Sequence, residues 1–233
     1  MKKSFHVAVD GPVAAGKGTV SRLVADRLGF LYVDTGAMYR VAALVAKRNK
    51  LNAKEHKKIN PLLKKIQIDL RIPKESEKDG RLITVLLDDE DVSWKIRTEE
   101  MGQGASVVSQ FPDIRKILVK KQQDIAKGKN VVMEGRDITH NVLPEAQLKI
   151  FLTANEMIRV KRRYVQLLER GEDITFAQVY DILHDRDTRE KTRKTNPLKI
   201  VKGAWVIDTS DILIEKVVEL IVERVKMMQS LDI

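Results

Sequence analysis

The sequence predicts an α/β fold: a five-stranded parallel sheet flanked by helices, with a small antiparallel three-stranded lobe inserted into it. Three observations carry this. Short apolar runs alternate with longer segments of helical period along most of the chain, the pattern of a parallel sheet covered on both faces. A glycine-bearing turn joins the first apolar run to the first helical segment. Between the second and third runs, over residues 66–98, the apolar period shortens to two.

Taken in order, the first strand is His6–Asp10. It runs into Gly11, Pro12, Val13, Ala14, Ala15, Gly16, Lys17, Gly18 and Thr19, after which Val20, Leu23, Val24 and Leu28 repeat at helical spacing. Strand, turn and helix together are the setting of a phosphate-binding loop. Backbone N–H groups of the turn and the helix N-terminus converge on one concavity and carry partial positive charge. Lys17 adds a full charge that can reach the outer phosphates of a nucleoside triphosphate. A simple strand–helix turn with a surface lysine would not require this spacing. The residue after the lysine is normally Ser or Thr, whose hydroxyl sits on Mg²⁺. Here it is Gly18, so phosphates and water would hold most of the metal's shell, as its reluctance to dehydrate allows.

The second strand, residues 30–33, opens into Asp34, Thr35, Gly36, Ala37, Met38, Tyr39 and Arg40. This segment lies beyond a carboxyl end of the sheet, where ligands of such sheets bind. Thr35 would cap the following helix and Gly36 would turn it, but capping does not call for Tyr39 and Arg40. Residues 66–72 then alternate, a turn-rich stretch follows at 73–80, and 81–87 and 92–96 complete a meander.

The third strand, residues 130–134, delivers Glu134, Gly135, Arg136 and Asp137 to another carboxyl end. Glu134 is placed to meet Mg²⁺ through water; a salt-bridged turn is the other reading. After the fourth strand, Leu148–Thr153, a helix carries Arg159, Arg162 and Arg163. Further on, Arg186, Arg189 and Arg193 are three and four residues apart, so one helical face would carry their guanidinium groups. That face suits phosphoryl transfer, which needs converging cations. It would equally suit a surface helix with ion pairs such as Arg186–Glu190. The fifth strand, Trp205–Asp208, and an amphipathic helix over 212–228 close the chain.

A length of 233 residues with 43% hydrophobic composition permits one large domain or a domain with an insert. The absence of cysteine excludes disulfides and thiolate metal sites and agrees with a reducing compartment. Lys2 and Lys3 precede an apolar run that stops at Asp10, too short for a signal peptide, and no run is long enough to span a bilayer. A soluble cytoplasmic protein without a membrane partner is expected. The net charge of +10 suits nucleic acid or small polyanions. Aromatics make up only 5%, which argues against base-stacking platforms, and the lysines of residues 47–65 read as solvated helix faces.

Several stretches then fall into one order: residues 10–19 and 34–40, Glu90-Asp91-Val92-Ser93 with Ile96-Arg97-Thr98, and Phe111-Pro112-Asp113-Ile114-Arg115. Gly135-Arg136-Asp137 and residues 186–193 with Pro197-Leu198 complete them. Over almost the whole chain this order resembles bacterial cytidylate kinases. The resemblance implies one phosphate-binding-loop kinase domain over residues 1–233. Its core would be 1–37, 128–154 and 172–233, its CMP-binding lobe 38–127 with the insert, and its lid 155–171.

ATP would sit on Gly11, Pro12, Val13, Ala14, Ala15, Gly16, Lys17, Gly18 and Thr19. CMP would meet Thr35, Tyr39, Arg40, Ser106 and Arg115, together with Arg136, Asp137, Arg186, Glu190 and Arg193. Lys17, Arg136, Arg162, Arg186 and Arg193 would stabilise the transferring group, with the lid arginines Arg159 and Arg162 closing over it. Mg²⁺ would meet Glu134 through water. The implied reaction is ATP-dependent phosphorylation of CMP, with dCMP as a second acceptor, by a monomer that binds no nucleic acid. Against the family pattern, Val13 and Ala14 stand for Ser and Gly, Thr35 for Ser, and Glu134 and Glu190 for Asp. Ala14 would be strained if the loop needs positive φ there. Two other readings remain: a small-molecule kinase acting on UMP, AMP or a non-nucleotide, and a nucleotide-dependent nucleic-acid-binding protein supported by the net charge alone.

Overall fold

The computed structural model describes residues 4–77, 79–81 and 83–231; Lys2, Lys3 and Leu82 lie outside them. β1 (His6–Asp10) occupies the middle of a five-stranded sheet and is buried at all but its first residue. The order across the sheet is β2 (Leu31–Asp34), β6 (Val131–Gly135), β1, β7 (Leu148–Thr153) and β8 (Trp205–Asp208), every pair parallel. Val7, Ala8 and Val9 on β1, with Val131 to Met133 on β6, are apolar at successive positions because helices cover both faces.

The register matters for chemistry. Asp10 lies opposite Gly135, and Asp34 opposite Glu134, so the carboxyl ends of β1, β2 and β6 finish together along one edge. Each of these strands releases a functional segment there. α1 (Lys17–Leu28) begins at the loop lysine itself. α2 (Thr35–Arg48) is capped by Asp34, whose carboxylate accepts from the Ala37 N–H at 2.9 Å. Thr35, expected as the cap, is instead the first helical residue, and its hydroxyl donates to the Glu134 carbonyl at 2.7 Å.

The lobe between β2 and β6 contains α3 (His56–Lys65), β3 (Ile68–Arg71), β4 (Thr84–Leu87), β5 (Glu90–Asp91), α4 (Glu99–Val108) and α5 (Pro112–Ala126). β3, β4 and β5 form the separate antiparallel sheet. Its third strand differs from the expected 92–96, because pairing ends at Asp91. Val92 and Ile96 are both fully buried and are joined by an Ile96 N–H to Val92 carbonyl bond of 3.1 Å. That is helical spacing, and Ser93 Oγ takes the Val85 N–H at 2.8 Å where a continuing strand would have offered a carbonyl. Thr98 then caps α4 by accepting from Met101 N–H.

After β7, α6 (Glu156–Leu168) and α7 (Phe176–Thr192) form a hairpin, and α8 (Ile214–Leu231) follows β8. The hairpin has a small core of its own, Val160, Leu167, Val179 and Leu183, against which Val13 of the phosphate loop packs. A capping box between Thr175 and Gln178 starts α7. Among the described residues no helix is long and apolar enough to cross a membrane.

Candidate active site

The carboxyl edge of the sheet, α4, α5 and the α6–α7 hairpin enclose a cleft of about 290 Å³. Its floor is the phosphate loop. Lys17 is 5% exposed and donates to the Pro12 carbonyl at 2.7 Å. Burial, helped by the nearby Arg136, pushes its ammonium down to about 7, although Glu134 and Glu190 pull the other way. A cation so placed is short of compensating anions, which phosphate groups would supply.

Ala14 in the same loop takes φ 59°, a left-handed conformation that strains a residue bearing Cβ. Ala14→Gly is expected to stabilise the ligand-free protein by about 1 kcal/mol, read as a higher urea midpoint at unchanged slope. No gain would mean that the loop carries no strain there.

Behind the loop, Asp10 is fully buried and ties two segments together. Its carboxylate accepts from the N–H groups of Ile138 at 2.8 Å and Thr139 at 2.9 Å, and from Thr139 Oγ1 at 2.6 Å. Asp137 is thus held by a π-turn, Ile138–Val142, anchored directly to the root of the phosphate loop. Gly135 serves close approach: a Cβ there would lie 2.5 Å from Thr35 Oγ1 and 2.7 Å from Ile138 Cδ1.

Above the floor the charged residues form two linked groups. Glu190 receives Arg136 on one oxygen and Arg186 on the other, the latter at 3.0 Å. Burial alone would raise the Glu190 carboxyl, but Arg136 and Arg186 outweigh it and hold it at about 2. The second group is centred on Asp137, which pairs with Arg115, accepts from Asn141 Nδ2 at 2.7 Å and has Arg193 at 3.4 Å. The Arg115 guanidinium also lies over the Tyr39 ring, 5.5 Å from its centre. Burial pushes the Tyr39 phenol up to about 12 and brings Arg40 down to about 10. Ser106 of α4 completes this wall.

The arginines of the hairpin divide differently from the sequence expectation. Arg159 is 5% exposed and is spent on structure: it pairs with Asp187 at 2.6 Å and donates to the Ala154 and Val13 carbonyls. Arg162 points to β8 and donates to Thr209 Oγ1 at 3.1 Å and the Thr209 carbonyl at 2.6 Å. Neither lines the cleft; Arg163 does, paired with Glu99 of α4 at 2.6 Å. Arg189, expected on one face with Arg186 and Arg193, is exposed and donates to the Asp185 carbonyl of its own helix. Arg97, Arg163 and Arg170 line the cleft without having been singled out as site residues. Arg97 pairs with Asp34 at 3.0 Å; its signal in the sequence is the Ile96-Arg97-Thr98 stretch, one of those that carry the resemblance.

Of the carboxylates that line the cleft among the described residues, Asp34, Glu99, Asp137 and Glu190 are paired with arginines and Glu134 is left for a metal. Tyr32 Oη donates to Glu134 Oε1 at 3.1 Å. Burial and the neighbouring Asp34 raise the Glu134 carboxyl, against the pull of Lys17. Among the described residues no group of three or more acidic or histidine side chains could cage a metal. A single carboxylate beside a phosphate loop therefore fits Mg²⁺ held mainly by phosphate oxygens and water.

The chain is similar to known proteins over nearly its whole length. Residues 7–227 match the family model described as cytidylate kinase. The cytidylate kinase of Caldanaerobacter subterraneus subsp. tengcongensis is 46% identical over 96% of this chain and 95% of its own length. That of Caldicellulosiruptor bescii is 42% identical over 95% of each. That of Bacillus subtilis is 36% identical over 97% of this chain and 98% of its own.

Proposed function

Because the chain belongs to the cytidylate kinase family and so transfers a phosphoryl group from ATP to CMP, we propose that the transfer runs in line across this cleft, from Lys17 toward Asp137. The observation that carries the proposal is the grouping of cations. Lys17, the Arg115–Asp137–Arg193 group and the Arg136–Glu190–Arg186 fork all line the one cleft. The product ADP leaves the loop and CDP leaves the opposite wall.

In this reading the loop N–H groups between Gly11 and Thr19, all but that of Pro12, which has none, cradle the ATP phosphates, and Lys17 reaches the outer ones. The CMP phosphate is drawn to Arg40, Arg136, Arg186 and Arg193, with Thr35, Tyr39 and Ser106 shaping its pocket. Its oxygen attacks the γ-phosphorus while the fixed guanidinium groups stabilise charge spread over the equatorial oxygens. Glu190 holds Arg136 and Arg186 in place before substrate arrives, so little reorganisation is needed during the reaction. No general base is required, because the acceptor phosphate is already anionic. Mg²⁺, when bound with ATP, neutralises charge on the phosphates, and Glu134 would steady its water shell. Arg163 takes the lid role assigned to Arg162 by resemblance. dCMP is a second acceptor in this proposal, and the protein acts as a monomer. The arginines of the cleft point inward, toward small anions, which supports nucleotides over nucleic acid as partners.

A panel of CMP, dCMP, UMP and AMP with ATP and Mg²⁺ tests the reading. CMP should give the highest kcat/KM, with dCMP turned over measurably and UMP and AMP well below. A higher value for UMP or AMP than for CMP would overturn it.

A further inference from the structure

One ion pair in the cleft joins the α6–α7 hairpin to the lobe. Arg163 of α6 donates through Nη2 to Glu99 Oε2 of α4 at 2.6 Å, and the two side chains are 21% and 25% exposed. Beside it, Arg170 Nη1 donates to the Arg97 carbonyl at 3.5 Å. Burial and the like charges of Arg163 and Arg97 bring the Arg170 guanidinium below its ordinary range. Three guanidinium groups therefore crowd this spot; Asp34 takes Arg97, and Glu99 takes Arg163. Among the described residues, Nε and Nη1 of Arg163 have no partner, so Glu99 holds this arginine and leaves part of its donor fork for another anion. Glu99 lies in the first turn of the helix that presents Ser106 to the cleft. That helix lies close against α2: a Cβ on Gly104 would stand 2.8 Å from Ala43 Cβ. In turn, α2 carries Tyr39 and Arg40 into the cleft.

We propose that Glu99 is a positioning residue that ties Arg163 to the α2–α4 wall, so that filling the CMP pocket sets this arginine for the ATP phosphates. The proposal rests on reading that wall as the CMP side of the cleft, and adds a physical link from it to the ATP side. CMP bound to residues of α2 and α4 orders both helices, and through Glu99 it orders the Arg163 fork. ATP phosphates then meet a guanidinium that is already oriented and loses less freedom on binding them. By linkage, ATP raises the affinity for CMP by the same factor. Such a link favours transfer to CMP over transfer to water, because the cations assemble fully only when CMP is present. The competing role is local: an acid in the first turn steadies the N-terminus of α4. That role would not connect the two ligands.

The test measures by titration calorimetry how tightly a non-hydrolysable ATP analogue with Mg²⁺ binds, without and with saturating CMP. In the unaltered full-length chain, CMP should tighten the analogue about tenfold. Glu99→Ala should bring that factor to within about twofold of unity, with the affinity for the analogue alone close to that of the unaltered chain. Glu99→Asp keeps the acid in the first turn but draws the carboxylate back by one methylene, about 1.5 Å. It should lose the coupling too, at an unchanged melting temperature. Arg163→Ala combined with Glu99→Ala should show no less coupling than Arg163→Ala alone. An unaltered chain in which CMP does not tighten the analogue would overturn the proposal. So would full coupling in Glu99→Asp, which would leave Glu99 only its place at the helix N-terminus. Arg40→Ala separates that failure from failure of the underlying reading. Unchanged CMP binding in this variant would mean that α2 does not hold CMP, and the link would fall with it. Weakened CMP binding there, with full coupling in Glu99→Asp, would refute only the link through Glu99.

Discussion

Lys17→Ala is expected to lower kcat by roughly 10²–10³-fold while leaving the fold intact. The ammonium is buried, and its only direct partner among the described residues is the Pro12 carbonyl. Removing a cation whose charged form is disfavoured by burial should not cost ligand-free stability, so the melting temperature should hold or rise. What is lost is a fixed positive charge at the point where negative charge builds on the transferring group. The loss should therefore fall on kcat more than on the KM for ATP, because the loop amides still bind the phosphates. Steady-state kinetics beside a thermal melt reads both. A drop of only a few-fold, with ATP affinity unchanged, would remove Lys17 from the reaction.

Asp137→Ala is expected to narrow the ratio of kcat/KM for CMP over UMP by about tenfold or more. Cytosine presents an amine where uracil presents a carbonyl oxygen, so discrimination needs a buried acceptor. Asp137 is 4% exposed, lines the cleft and is fixed by Arg115, Asn141 and Arg193. A uracil carbonyl placed against it leaves polar groups unsatisfied, at a cost of about 1–3 kcal/mol. The competing role is purely structural, a pin for neighbouring guanidinium groups, and the adjacent Arg136 is not among those it would hold. Arg136 is held by Glu190, and the arginines beside Asp137 are Arg115 and Arg193. If Asp137 only holds those two, both acceptors should weaken together and their ratio should stay put. The alanine variant also leaves Arg115 without its buried anion, which destabilises the fold. Asp137→Asn, which keeps an acceptor and the shape, is the companion measurement and should retain more of the preference for CMP.

Much of this protein is legible in its sequence. The phosphate loop was readable because its function depends on backbone shape, which glycine spacing and the flanking strand and helix report locally. The segments at 34–40 and 134–137 were readable because a parallel sheet brings strand carboxyl ends to one edge. Val92 to Ile96 misled because apolar residues four apart in a short stretch fit a buried helical turn as well as the end of a meander. The capping of α2 misled for a similar reason: Asp34 and Thr35 are adjacent and both able, and the Thr35 hydroxyl was claimed by the Glu134 carbonyl from another strand.

By itself, then, the sequence determined the α/β class, the five parallel strands, the phosphate loop and the family of the chain, since each is written in local period or in the order of short motifs. Only the tertiary structure decided which cations face the substrates. Arg159, Arg162 and Arg163 lie within five positions on one helix, and each step along it turns the side chain by about 100°. Nothing in their spacing selects among them. Asp187 on α7 took Arg159, Thr209 after β8 took Arg162, and Arg163 was left facing the cleft. The same holds on the cleft floor, where Tyr32, Gly18 and Glu134 come from three elements and meet only because the register of β2 against β6 places them side by side.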